Sequence, residues 1–325
     1  MFGATRAIGV LVGYLADLVL ADPPTGHPVA GFGAAATTIE RFSYRDSRVG
    51  GVVHVAVLVG TVGALGAALQ RLARRCGPVW SIVVTAAATW VSLGGTSLAR
   101  TGAAMGERLR EDDLEGARRL LPSLCGRDPE QLDAAGLIRA TVESVAENTS
   151  DAQVAPLLWA WVGGAPGVLG YRAVNTLDAM VGHRSPRYTR FGWAAARLDD
   201  AANYAAARAT AGLTVLCAPI VGGSPAGAIT AWRSDAHRHP SPNAGVVEAA
   251  FAGALGVRLG GPTRYHYEMQ IRPVLGDGPP PTVTDLRRAV RLSRAVQAAA
   301  VLLFIGATGL SAGVRSGRSA CPRRS

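Results

Sequence analysis

Three carboxylates near the middle of the chain have the spacing of a metal site. Glu143, Glu147 and Asp151 follow one another at intervals of four in the stretch ESVAENTSDAQVAP. A helix would place all three along one face, where like charges repel unless a cation lies between them. Oxygen ligands of this kind are those that Mg²⁺ prefers. The spacing therefore indicates either a metal site or an ordinary charged helix surface.

More polar side chains follow in YRAVNTLDAMVGHRSPRYTRFGWAAARLDDAAN, which ends at Asn203. They comprise the acids Asp178, Asp199 and Asp200, the amides Asn175 and Asn203, and the basic residues Arg172, His183, Arg184 and Arg197. Asn148, in the first stretch, is a further amide. Asparagine is a poor helix former and a good hydrogen-bonding group. The density of these residues in an Ala-, Val- and Leu-rich chain favours a site for a metal ion and an anionic substrate.

A second polar motif, DPPTGHPV, begins at Asp22 and contains His27. Its three prolines are incompatible with a regular helix, so the motif predicts a loop. Asp22 and His27 would then lie together at the edge of a membrane helix. The alternative is a capped helix end followed by a turn.

The composition indicates a membrane protein. Of the 325 residues, 49% are hydrophobic and 17% are charged, below the roughly 25% charged residues of soluble domains. The chain contains no lysine, which excludes a Gly-Lys-Ser/Thr phosphate loop and a lysine Schiff base. Phosphate must then be held by arginine, backbone amides or a metal. The arginines are scattered and aromatic residues are sparse, so we expect no nucleic-acid partner.

The apolar segments predict an all-α, multi-pass membrane protein with about five to six such segments and helical polar loops. They lie near residues 8–20, 52–69, 79–98, 154–171, 205–221 and 298–314. Most are close to the roughly 20 residues that cross a bilayer. The segment 154–171 contains internal prolines and a Gly-Gly pair, so we predict a broken or re-entrant helix there.

We expect one membrane-embedded domain covering residues 1–325, with a basic, disordered tail at 315–325. The polar regions that carry candidate site residues are 22–29, 133–153, 172–203 and 232–262. In the last of these, His237 and His239 are interpreted as surface or helix-end residues.

Three long stretches together resemble the CobD/CbiB family of cobalamin-biosynthesis proteins, the adenosylcobinamide-phosphate synthases. They are DLVLADPPTGHPV, the segment from ESVAENTSD through NTLDAMVGHR to LDDAAN, and AWRSDAHRHPSPNAGVVEAAFAGALGVRLGGP. The resemblance extends from residue 17 to about residue 262. It departs at Ala21, where the family often has glycine, and at 263–269, from which we carry over no site residues.

The resemblance implies an enzyme of the cell membrane that converts adenosylcobyric acid to adenosylcobinamide (phosphate). The reaction joins (R)-1-amino-2-propanol or its O-phosphate to a corrin propionate by ATP-driven amide formation. ATP and Mg²⁺ are the implied cofactors, and membrane lipid and other enzymes of the corrin pathway are the implied partners.

We assign roles within this hypothesis by residue type. Amide formation needs metal ligands, anion-binding groups and a base for the amine. The magnesium ligands would come from Glu143, Glu147, Asp151, Asp199 and Asp200. The substrate-binding residues would be Arg172, Asn175, Asp178, Arg184, Arg197, Asn148, Asn203 and Asn243. His183 or His27, with Asp22, would accept the amine proton, because a histidine pKa near 6.5 suits a base at neutral pH.

Other classes of function compete with the ligase. A transporter of a corrin or another anionic metabolite would explain a broken helix and the acidic Asp17 within a span. A metal-dependent transferase acting on a lipid diphosphate would explain LDDAAN, although a second DDxxD motif is missing. A structural membrane partner of a corrin-handling complex is the third alternative.

Overall fold

The fold is almost entirely helical in the computed structural model, which describes residues 2–23, 25–183, 185–264 and 269–318. These residues form thirteen α-helices: α1 Phe2–Leu20, α2 Pro28–Ser43, α3 Arg48–Cys76, α4 Pro78–Ser92, α5 Gly95–Arg110, α6 Leu114–Leu120, α7 Ala134–Thr149, α8 Ala155–Leu177, α9 Tyr188–Phe191, α10 Trp193–Cys217, α11 Pro225–Asp235, α12 Ala244–Leu255 and α13 Val283–Arg318. A single antiparallel hairpin, β1 Leu259–Arg264 with β2 Met269–Leu275, is the only sheet in the described part. The all-α prediction is confirmed.

The chain divides into two compact units that alternate along the sequence, where the sequence predicted one domain. The first unit comprises Met1–Leu93, Pro156–Asp199 and Ala300–Ser325, and the second comprises Gly94–Ala155 and Asp200–Ala299. Part of the predicted basic tail, residues 319–325, lies outside the described residues.

Five segments are long and apolar enough to cross a membrane, which confirms the multi-pass prediction. They are Gly3–Leu20, Arg48–Cys76, Pro78–Arg110, Trp193–Val221 and Val283–Thr308. Each overlaps a segment predicted from the sequence. The sixth predicted segment, 154–171, falls in α8 and is not among them.

Helix α8 is broken, as its sequence predicts. Gly164 has φ 65° and ψ −150°, a conformation that a side chain would strain, and Pro166 follows it. Proline has no N–H to donate to the carbonyl four residues earlier, which is that of Val162. Arg6 of α1 replaces that donor: its Nη1 lies 2.5 Å from the Val162 oxygen and 3.0 Å from the Trp161 oxygen.

The same break also frees a backbone amide. The Ala165 N–H donates to Oε1 of Gln70 on α3 at 3.4 Å, and the Thr85 hydroxyl of α4 donates to the same oxygen at 3.2 Å. Irregular backbone in a membrane segment needs replacement partners for its freed groups. Arg6 and Gln70 provide them here.

Helices α1 and α4 pack at close range through two glycines. Gly9 and Gly13 are four residues apart, the small-xxx-small spacing that lets membrane helices approach closely. A β-carbon at Gly9 would lie 2.7 Å from Cβ of Thr85, and one at Gly13 would lie 2.6 Å from Cβ of Thr89. No side chain fits at either position without moving α4.

Gly13→Ala should therefore destabilise the first unit by about 1–3 kcal/mol, the usual penalty for overpacking. The matched control is Gly60→Ala in α3, where a β-carbon meets nothing within 4 Å. That change should be neutral or slightly stabilising, because alanine is the better helix former. Thermal unfolding of the detergent-purified variants measures both, and equal melting temperatures for the two would contradict this packing.

The second unit contains a buried helix beside the hairpin. Every residue of α12 except Gly253 is buried, including Glu248, and the helix packs against α7 and α11. The hairpin pairs Gly261 with Arg272, and its register shifts at Gly260. Gly260 and Gly261 have φ of 81° and 88°, so the backbone at this register shift favours glycine. The shift directs the Gly260 amide toward α7.

Candidate functional site

Three of the predicted site residues form a hydrogen-bonded chain in the first unit. Arg172 and Asn175 lie three residues apart on α8 and therefore share a face. Nη1 of Arg172 lies 3.5 Å from Oδ1 of Asn175, and Nδ2 of Asn175 donates to Oδ1 of Asp199 on α10 at 3.3 Å. A cation, an amide and a carboxylate are thus brought together.

Arg172 also lines a pocket of about 200 Å³ in the first unit. The wall is mainly apolar, with Ser92 and Thr176 as its other polar members; the complete lining is Pro28, Val29, Phe32, Val62, Leu65, Val91, Ser92, Leu169, Arg172, Ala173 and Thr176. Two buried atoms in this wall, Oγ of Ser92 and Nε of Arg172, have no hydrogen-bond partner among the described residues. Buried polar atoms are normally satisfied, so a ligand with acceptor oxygens suits this pocket.

The Asp22–His27 motif forms a loop that leads into α2. His27 is the N-cap of that helix: its Nδ1 accepts the Val29 amide at 3.2 Å, and its Nε2 lies 3.5 Å from Oδ1 of Asp22. Because Nδ1 is the acceptor, the proton of the neutral ring is on Nε2, facing the acid. This geometry is that of a capped helix end, the alternative considered above, and the role of His27 as a base stays a prediction.

The residue before this motif, where the chain departs from the family pattern, has a backbone conformation that favours glycine. Ala21 has φ 53°, in the left-handed region that favours glycine, and its carbonyl accepts from the indole of Trp90 at 3.2 Å. The glycine that family members often carry would meet this conformation without strain.

We expect Ala21→Gly to stabilise the protein by about 1 kcal/mol, the usual penalty for a non-glycine residue in this region. A thermal melt of the purified variant would measure the gain. The control is Ala36→Gly within α2, where regular helix makes glycine destabilising. A lower melting temperature for Ala21→Gly would contradict the backbone conformation described here.

The segment around His183 leaves the helical path through a π-helical turn, Asp178–Gly182. A β-carbon at Gly182 would collide with the Asp178 carboxylate, so glycine makes room for that acid. His183 is exposed and its ring meets the Tyr188 ring edge-on at 5.1 Å. It remains the candidate base. Arg184 lies outside the described residues, and Arg197 is exposed on α10.

A buried acid fixes the loop that follows His183. Oε1 of Glu40 accepts from Nη2 of Arg187 at 2.9 Å and from the Tyr188 hydroxyl at 3.0 Å. The Arg187 guanidinium lies 4.0 Å from the centre of the Tyr44 ring, and its hydrogen bond to Glu40 raises its pKa further. Sequence reasoning missed Glu40, because one acid in an apolar segment has no distinctive spacing.

Glu143 lies at the centre of a buried ion-pair cluster in the second unit. It is paired with Arg127, it accepts the Gly260 amide at 2.6 Å, and it lies 4.0 Å from Arg272. Burial alone would raise the pKa of this carboxyl, but Arg127, the Gly260 amide and Arg272 outweigh it and hold the pKa below its usual range. Both oxygens serve these partners, and the role of Glu143 as a magnesium ligand stays a prediction.

A second buried acid faces the same arginine. Glu248 lies 3.6 Å from Nη1 of Arg272 and 3.9 Å from Nε2 of His239. Burial and the charge of Glu143 raise the pKa of Glu248 well above its usual value, while burial and Arg272 lower the pKa of His239 to about 4. At neutral pH the imidazole of His239 is therefore uncharged.

His239 is buried and is the C-cap of the 3₁₀ helix Ala236–Arg238, which fits the helix-end interpretation and not the surface one. Sequence reasoning also missed Glu248, Arg127 and Arg272. Only Glu248 had a local signal, because it is the single charge in the apolar run AGVVEAAFAGAL. Buried charges are retained only with partners.

Two of the predicted asparagines of the second unit make hydrogen bonds within the protein. Asn243 accepts from Nη1 of Arg208 at 2.9 Å and donates to the Asp200 carbonyl at 2.8 Å. This clamp uses both ends of its amide, and the role of Asn243 in substrate binding stays a prediction. Asn148 donates to the Ser144 carbonyl at 2.9 Å, and Asn203 is buried in α10.

The predicted metal ligands do not converge within the described residues, where no group of three or more His, Cys, Asp or Glu side chains could hold a metal ion. A π-helical turn, Ser150–Val154, begins just before Asp151, so the regular spacing after Glu147 ends there. Asp199 and Asp200 are consecutive on α10 and point in different directions. Mg²⁺ often takes only one or two carboxylates with phosphate and water, so Glu147, Asp151, Asp199 and Asp200 stay predicted ligands.

The fold defines an all-α, multi-pass membrane protein whose polar residues gather in an arginine-lined pocket and a buried ion-pair cluster. Residues 10–293 match the family model described as CobD/Cbib protein. The chain belongs to the CobD/CbiB family. No solved structure matches it.

Curated relatives cover nearly the whole chain. The cobalamin biosynthesis protein CobD of Mycobacterium tuberculosis (strain CDC 1551 / Oshkosh) is 69% identical over 301 residues, covering 93% of this chain and 95% of the relative. The protein of the same name from Chromobacterium violaceum is 44% identical over 295 residues, covering 88% and 91%. The cobalamin biosynthesis protein CbiB of Salmonella typhi is 38% identical over 315 residues, covering 92% and 97%.

Proposed function

We propose that this chain acts in cobalamin biosynthesis as an adenosylcobinamide-phosphate synthase of the cell membrane. It would join (R)-1-amino-2-propanol or its O-phosphate to a propionate of adenosylcobyric acid through an amide bond. The observation that carries the proposal is the family match over residues 10–293, supported by relatives that are named for cobalamin biosynthesis.

The pocket of the first unit supports an anionic ligand. Its polar wall presents Arg172, Ser92 and Thr176, and no carboxylate is among its described lining residues. A guanidinium suits phosphate and carboxylate because its N–H groups can donate in pairs. Arg172 is therefore the residue that we expect to hold the substrate.

The chemistry requires activation of a carboxylate. ATP with Mg²⁺ would supply it by converting the propionate into an acyl phosphate or an equivalent electrophile. Asp199, oriented by Asn175, fits as one oxygen ligand for the magnesium, with phosphate oxygens and water completing the set. Arg172 would neutralise the substrate anion beside it.

The amine must lose a proton before it attacks. His183 is exposed and its ring is held edge-on to Tyr188, which Glu40 fixes in turn. An exposed imidazole can accept a proton at neutral pH. His27 would instead hold the Asp22 loop against the start of α2.

In the test, membranes that contain the chain are incubated with adenosylcobyric acid, one of the two amines, Mg²⁺ and ATP. The amide product is measured by mass spectrometry. We expect product only when ATP and Mg²⁺ are both present. Product formation without ATP would contradict the ligase. No product with either amine would also contradict it and would direct the next assays to transport of corrins.

A further inference from the structure

A second arginine-lined pocket lies at the other end of the helices that carry the candidate site. It measures about 230 Å³ and belongs entirely to the first unit. Its lining is Thr5, Arg6, Gln70, Arg74, Gly77, Pro78, Ser81 and Thr85. Eleven residues of α4 separate Ser81 from Ser92, about 16 Å along the helix axis, so the two pockets are distinct.

The charges of this pocket have one sign. Arg6 and Arg74 both line it, and no Asp or Glu is among its described lining residues. Nη1 of Arg6 donates to both carbonyl groups at the break of α8. Two guanidinium groups that line one pocket can both donate to an anion held there.

The start of α4 adds further donors. Gly77, with φ 115°, is the N-cap of α4 and provides no side-chain cap, and Pro78 begins the helix. The first amides of a helix lack intrahelical acceptors and attract anions. Gly77 and Pro78 both line the pocket, so this helix end and the two arginines serve the same space.

The surroundings are those of a membrane surface. Arg6 is near the beginning of the span Gly3–Leu20, and Arg74 is near the end of the span Arg48–Cys76. Just outside the pocket, α4 exposes apolar side chains: Val79 is 68% exposed, Trp80 57% and Val83 47%. Tryptophan is enriched at the level of lipid headgroups, and basic pockets between spans bind anionic headgroups.

We infer that this pocket binds the phosphate group of an anionic phospholipid, whose acyl chains would lie against the exposed apolar face of α4. Arg74 would contact the phosphate directly. Arg6 would link the lipid to the break in α8, because it also holds the carbonyls of that break. The inference is independent of the proposed reaction.

The test measures the thermal stability of the full chain in detergent during titration with short-chain phosphatidylglycerol, phosphatidylcholine or inorganic phosphate. We compare wild type with Arg74→Gln and Arg75→Gln. Arg75 is the next residue of α3, is exposed and does not line the pocket, so both variants lose the same charge. We expect phosphatidylglycerol to raise the melting temperature of wild type and Arg75→Gln. The same rise in Arg74→Gln should require at least a tenfold higher concentration of the lipid.

Two results would overturn the inference. Equal stabilisation of all three proteins by phosphatidylglycerol would mean that the pocket is not the site. The other is that inorganic phosphate at the same concentration raises the melting temperature of wild type equally and has no effect on Arg74→Gln. That result would mean that the occupant is a soluble phosphate and not a lipid. Phosphatidylcholine should have little effect, since its headgroup has no net charge.

Discussion

Glu143→Gln should lower the free energy of unfolding by about 3–5 kcal/mol, the usual effect of removing one partner from a buried ion pair. The change leaves Arg127 without this carboxylate and weakens the bond from Gly260. Glu248 lies 3.6 Å from Arg272 and can ionise to balance that arginine. Denaturant or thermal unfolding of the detergent-purified protein measures the loss.

The matched control is Glu147→Gln. Glu147 lies one turn further along the same helix and is only half-buried. Its replacement should change the stability by less than about 1 kcal/mol, as for most surface positions. If Glu143→Gln were as stable as this control while losing activity, the ion-pair assignment would be wrong and the original metal-ligand prediction would regain support.

Arg172→Gln should reduce kcat/KM for amide formation by about 100-fold, close to 3 kcal/mol of lost binding to the substrate or transition state. Glutamine keeps a polar group in the pocket but cannot offer a charged pair of donors to an anion. Initial rates at varied amine and corrin concentrations would show which KM rises, and so which substrate the arginine holds.

Two further variants make the result interpretable. Arg172→Lys keeps the charge without the fork of donors, so it should recover only part of the activity. Arg41→Gln removes an exposed arginine at the end of α2 and should leave the rate unchanged. Wild-type kinetics in Arg172→Gln would contradict its assignment, and an equal loss in Arg41→Gln would point to a general effect of charge.

The parts of the structure that depend on local spacing were predictable from the sequence. Long apolar runs predicted the five spans, and Pro166 after a Gly-Gly pair predicted the break in α8. In each case the information lies within one continuous segment of the chain.

The parts that depend on distant residues were not predictable. Glu143 is separated from Arg272 by more than a hundred residues, so spacing alone indicated a metal ligand where the fold makes an ion pair. The roles of His27 and Asn243 followed from residue type, but a backbone amide and an arginine already occupy their polar atoms. Residue type predicts what a side chain can bind, and the fold decides whether it is available.

The most direct test of the proposed synthase follows the oxygen atoms of the activated carboxylate. Adenosylcobyric acid labelled with ¹⁸O in its free propionate would be incubated with the purified chain, Mg²⁺, ATP and the amine. If ATP activates that carboxylate, one labelled oxygen must leave with the phosphate or AMP that is released when the amide forms, and mass spectrometry would detect it there. Amide product without label in either phosphate species would contradict ATP-driven activation of the propionate by this chain.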